Sequence, residues 1–149
     1  MKKPMAAPQG SLKLDEFLCF AVYSASHAFN RVYKPLLDKL GLTYPQYLAM
    51  VVLWEHGDQT VGSLGEKLFL ESSTLTPMLK RLEVMGYIAR VRDAIDERQV
   101  RVQLTNAGHA LRKKAQTIPP CILDATGLKA EDLAKLTKNI TMLRKSLVR

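Results

Sequence analysis

The stretch LTPMLKRLEVMGYIARVRDAIDERQVRVQLTNAG, Leu75 to Gly108, changes its apolar period at Gly86. Before the glycine, Leu75, Leu79, Leu82 and Met85 recur at helical spacing, and Ser72 or Ser73 is placed to cap the helix that carries them. After it, Tyr87 to Arg92 and Gln99 to Leu104 alternate. Val100, Val102 and Leu104 fall on one side, Arg101 and Gln103 on the other, which predicts a two-stranded ribbon with the charged tip DAIDER.

Upstream, Thr60 or Val61 opens a short helix through Leu64, Leu68 and Phe69, so two short helices joined by a tight turn precede the ribbon. That order predicts a winged helix-turn-helix, mainly α with a small β-ribbon. The flanks read as helices. Apolar residues from Leu14 to Leu40 keep a helical period until Gly41, and Thr43-Tyr-Pro-Gln caps a helix over Pro45 to Glu55. Thr105 caps another, which Pro119-Pro120 interrupts. A last helix carries Leu133, Leu136, Ile140, Leu143 and Leu147 at heptad spacing, suited to a partner helix, although an ordinary amphipathic helix shares that spacing. With no repeat or linker, residues 1–149 read as one domain. The winged helix spans about 60–105, with long helices at about 12–40 and 106–147.

A chain of 149 residues with 47% apolar content has enough material for a core. No apolar run approaches the length of a membrane span, and MKKPMAAPQGS lacks the apolar segment of a signal peptide, so a cytoplasmic protein is expected. Two distant cysteines, Cys19 and Cys121, do not make a structural disulfide framework. His27, His56 and His109 are scattered without ligand spacing, and no phosphate-binding glycine loop or catalytic triad is evident. No metal, cofactor or enzymatic activity is therefore expected.

Charge points to DNA. Between Pro77 and Lys114 nine Lys/Arg face four acids, which places +5 of the total +8 in about a quarter of the chain. The predicted recognition helix brings Ser72, Ser73, Thr74, Thr76, Lys80 and Arg81 towards the major groove, and the ribbon tip brings Arg98 towards the minor groove. Hydroxyls and cations of this kind mostly hold phosphate; taken singly, each is also ordinary surface.

The Leu75–Gly108 stretch, with Asp96 and Arg98 as its D-x-R wing signature, resembles the MarR family of dimeric winged-helix repressors. LCFAVYSASHAFNRVYKPLLDKLGLTYPQYLAMVVLWE, Leu18 to Glu55, resembles that family's OhrR branch, sensors of organic hydroperoxides. The resemblance implies that Cys19 is the peroxidatic thiol and that Tyr33 and Tyr44, with Tyr23, hydrogen-bond it. It leaves Cys121 as a candidate resolving cysteine or a packing residue.

Helix geometry constrains the carry-over. Cys19 and Tyr33 are 14 residues apart, roughly 21 Å along one straight helix at 1.5 Å per residue, so they cannot meet within one chain. Two antiparallel copies crossing near Ser26 bring Tyr33 of one protomer level with Cys19 of the other. A homodimer on a pseudo-palindromic operator follows. A thiol peroxidase, or a repressor gated by a non-covalent aromatic ligand, are the competing readings.

Overall fold

Three threonines set the starts of three helices in the computed structural model, which describes residues 12–148. Thr43, Thr60 and Thr105 stand in extended backbone and accept from the amide three residues on: Gln46 at 3.3 Å, Ser63 at 3.1 Å and Gly108 at 3.1 Å. Each satisfies an amide that has no partner within its helix. At Thr43 the cap is reciprocal, because Gln46 Oε1 accepts from the Thr43 amide at 2.9 Å. Residues 1–11, on which the expectation of no signal peptide falls, lie outside the described residues. No described helix is long and apolar enough to cross a membrane.

The elements are α1 (Leu18–Asp38), α2 (Tyr44–His56), β1 (Gln59–Thr60), α3 (Val61–Leu68), α4 (Ser72–Val84), β2 (Ile88–Arg92), β3 (Val100–Leu104), α5 (Asn106–Ala115), α6 (Ile118–Thr126) and α7 (Ala130–Leu147). The chain divides after Arg31 into two compact units. In the first, a single 3-10 turn, Leu14–Glu16, precedes α1, so the helix starts later than the apolar period from Leu14 predicts. In the second, the winged helix surrounds a core that includes Leu37, Leu53, Leu64, Leu75, Leu79, Leu82, Ile88 and Val102.

Four expectations need correction. The ribbon is a three-stranded antiparallel sheet of order β1-β3-β2, because Gln59 and Thr60 pair with Val102 and Arg101. Two residues are too few to show an alternating period. Helix α4 is preceded by Glu71, which makes no side-chain cap; Ser72 and Ser73 are its first helical residues. The C-terminal helices part at Gln116 and Thr117, not at the prolines, which lie in the first turn of α6. Proline is tolerated there because those positions have no helical acceptor for an N–H. Finally, α1 ends at Asp38 rather than Leu40.

The wing is tied to α5 by backbone. Thr105 donates its amide to Tyr87 O at 3.1 Å and its hydroxyl to Gly86 O at 2.5 Å. Gly108 lies so close to the Tyr87 carbonyl that a Cβ has no room. Trp54 is half-buried against the core and donates Nε1 to Gly108 O at 2.9 Å. Helix α7 buries no residue, and Leu136, Ile140 and Leu147 of its heptad seam are exposed.

Candidate nucleic-acid interface and redox site

Helix α4 buries Leu75, Met78, Leu79 and Leu82. That spacing turns Ser73, Pro77, Lys80 and Val84 to the opposite side, where all four are exposed. Ser72, Thr74 and Arg81 are exposed on its flanks. Thr76 is half-buried, and its hydroxyl donates to Ser72 O at 2.8 Å. Its proton is thus committed to its own helix, which leaves Ser72, Ser73 and Thr74 as the hydroxyl donors of the first turn.

A cavity of about 320 Å³ lies between this helix and the wing, lined among others by Thr60, Gly62, Ser72, Thr76, Arg98 and Gln99. Three of the residues assigned to DNA from sequence therefore share one trench. Arg98 projects from it almost fully, with 93% of its side chain exposed, and its Nε donates to Asp96 Oδ1 at 3.4 Å. Asp96 also accepts the Arg98 amide at 3.1 Å, so this acid shapes the tip.

Not all the cations of the basic stretch face outward. Arg90 donates its amide to Glu83 Oε2 at 2.9 Å and its Nη2 to Glu83 Oε1 at 3.2 Å, joining β2 to α4. Those hydrogen bonds, the backbone one foremost, hold the Glu83 carboxyl below the usual carboxylate range. Arg101 bridges Asp58 and Asp93. These two arginines are architectural, whereas Lys80, Arg81, Arg92 and Arg98 are exposed.

Cys19 is a free, exposed thiol in the first turn of α1. The first helical bond, from Ala21 N–H to Phe17 O at 3.1 Å, closes just beyond it. Phe17, Leu18, Phe20 and Val22 are all exposed. Tyr23 packs edge-on against His27, ring centroids 4.4 Å apart. In the second unit the Tyr33 ring lies 4.8 Å from that of Tyr44 and 6.0 Å from that of Tyr47. Burial, then the neighbouring phenols Tyr44 and Tyr47, pushes Tyr33 up to about 12; burial also raises Tyr44 and Tyr47. All three remain protonated donors at neutral pH. Cys121 is a free, exposed thiol near the start of α6.

A family model for the transcriptional regulator SarA/Rot matches residues 31–115. The organic hydroperoxide resistance transcriptional regulator of Bacillus subtilis is 48% identical over 136 residues, which cover 91% of this chain and 92% of that protein. The chain belongs to the OhrR branch of the MarR family. Among solved structures, that of reduced AbfR bound to DNA has a TM-score of 0.75 at 35% identity, covering 91% of this chain and 95% of the other. AbfR is a protein of Staphylococcus epidermidis. A disulfide-formed structure of AbfR has a TM-score of 0.65 at 37% identity, covering 91% and 92%.

Within this OhrR-branch chain, sequence reading missed Tyr47, Asp58 and the Thr60–Gly62 side of the trench. Tyr47 was legible in principle. It follows Tyr44 by one helical turn inside TYPQY. Asp58 had no local signal, because its partner Arg101 is 43 residues away.

Proposed function

We propose that this chain is a homodimeric DNA-binding repressor that organic hydroperoxides release from its operator by oxidising Cys19. One pairing of features carries the reading: an exposed thiol in the first turn of α1, and a trench of Ser72, Thr76 and Arg98 between recognition helix and wing, in a chain 48% identical to an organic hydroperoxide resistance regulator. The functional unit is one MarR-type domain in the cytoplasm, without cofactor and without catalytic turnover. The exposed seam of α7 and the exposed apolar side chains of α1 supply the dimer contacts.

In the sensing step the Cys19 thiolate attacks one peroxide oxygen. An S–O bond forms, the O–O bond breaks, and the departing alkoxide takes a proton to become an alcohol. The sulfur lies at the positive end of α1, and Tyr33 and Tyr44 of the second protomer, with Tyr23, offer phenol donors to it. Oxidation to sulfenic acid disturbs those hydrogen bonds at the dimer interface. Because both reading heads hang from that interface, a small rotation spoils their spacing over one DNA turn of about 34 Å. The partner subunit's Cys121 then displaces water from the sulfenic acid, leaving a disulfide that a cellular thiol reduces.

The test is a mobility-shift titration on an AT-rich palindrome before and after cumene hydroperoxide, then after a thiol reductant, with non-reducing gels in parallel. Reversible release that is absent in Cys19→Ser supports the reading; release of Cys19→Ser sinks it in favour of non-covalent gating. A covalent dimer absent in Cys121→Ser supports the disulfide. A small-thiol adduct on Cys19 without that dimer makes Cys121 structural. Peroxide consumed catalytically with excess reductant would instead identify a thiol peroxidase.

A further inference from the structure

We infer that Ile95, at the tip of the wing, is an apolar minor-groove contact that makes the operator flanks A·T-selective; this deepens the DNA-binding reading and rests on it. Ile95 is 98% exposed, more than any other large apolar side chain described. A single exposed isoleucine is ordinarily unremarked surface. Here the backbone beneath it is fixed. Asp93 Oδ1 accepts the Ile95 amide at 2.8 Å and the Asp96 amide at 3.2 Å, while Asp93 Oδ2 is held by Arg101 Nη1 at 3.0 Å. The loop is closed again by Asp93 N–H to Gln99 O and Gln99 N–H to Asp96 O, both at 2.9 Å. These bonds hold the backbone beneath the exposed Ile95 side chain.

Charge selects the occupant. Asp93 and Asp96 are spent on hydrogen bonds inside the tip, which leaves Glu97 as its exposed acid beside exposed Arg92 and Arg98. Arg98 stands three residues from Ile95 in the same hydrogen-bonded loop, and its exposed guanidinium adds an attraction for the negative groove. The minor groove is about 6 Å wide, with C–H-rich deoxyribose walls, and many proteins place apolar side chains in it. Over A·T pairs its floor presents only acceptors set deep between those walls. A G·C pair adds the guanine 2-amino group, which protrudes and needs an acceptor that isoleucine does not have. Ile95 therefore disfavours G·C at the flank without touching phosphate.

The experiment uses the full chain and a duplex that the parent selects from a randomised library, remade with A·T, G·C or inosine·C pairs at the flanks. Inosine lacks the 2-amino group. The parent should bind the A·T and inosine duplexes alike and the G·C duplex about tenfold more weakly. Ile95→Ala should narrow that gap to about twofold with its salt slope unchanged, whereas Arg98→Ala should lower the slope by about one unit. Undiminished discrimination in Ile95→Ala, or inosine behaving as guanine, overturns the inference while the repressor reading stands. If the parent enriches no duplex, the repressor reading fails and the inference falls with it.

Discussion

Arg101 donates Nη1 to Asp93 Oδ2 at 3.0 Å, and through Nε it also reaches Asp58 Oδ1 at 3.0 Å. One guanidinium thus joins the wing tip to the loop before β1, with Gln103 Nε2 adding a bond to Asp58 Oδ2 at 2.9 Å. Replacing Arg101 with methionine keeps the apolar stem and removes the fork. Arg101→Met should keep its dimer and helix content but bind operator roughly tenfold more weakly, since Arg98 is no longer held at its angle. Equal affinity in a fluorescence-anisotropy titration would make the bridge dispensable.

The same tip carries a pH signature. Hydrogen bonds from the Ile95 amide first, then from Arg101 and the Asp96 amide, lower the Asp93 carboxyl below its ordinary value. A depressed carboxylate contributes stability above its unfolded pKa and loses it as pH falls through the folded one. Amide exchange at Ile95 and Asp96 should accelerate only below the ordinary carboxylate range. In Asp93→Asn, that acid-dependent change should vanish.

Tyr33 gives the alkaline counterpart. Its pKa is pushed up to about 12 by burial and by Tyr44 and Tyr47, against an ordinary value of 10.0. Raised above its unfolded value, the phenol contributes stability that is complete below about pH 10 and declines as pH rises towards about 12. Absorbance titration at the phenolate band should show a late-titrating component that Tyr33→Phe removes. The same variant should still bind DNA but oxidise more slowly, for want of a donor to the thiolate.

Gly108 tests the seat of α5. An added Cβ meets the Tyr87 carbonyl oxygen, and the Gly108 carbonyl is the acceptor for Trp54 Nε1. Gly108→Ala should therefore cost about 1–3 kcal/mol by overpacking, seen as a lower midpoint in urea. Gly62→Ala is a useful contrast, because a Cβ there meets only Thr60 Oγ1 at 3.9 Å, an ordinary contact, inside α3 where alanine is the better helix former. A larger loss at Gly62 than at Gly108 would contradict the close approach.

Sequence alone determined the winged helix and the positions of Cys19, Arg98 and the recognition helix. Those rest on short-range physics: Thr43, Thr60 and Thr105 cap the helices just after them, and the change of period at Gly86 turns helix into ribbon. Only the tertiary structure decided which cations are available to DNA. Arg90 and Arg101 look like Arg92 and Arg98 in the sequence, yet the fold places Glu83, Asp58 and Asp93 within their reach. It likewise added β1 to the sheet, gathered Tyr47 with Tyr33 and Tyr44, and set Cys121 inside a helix that its two prolines open. A side chain's partner across 43 residues depends on how distant elements pack, and no local period or cap encodes that.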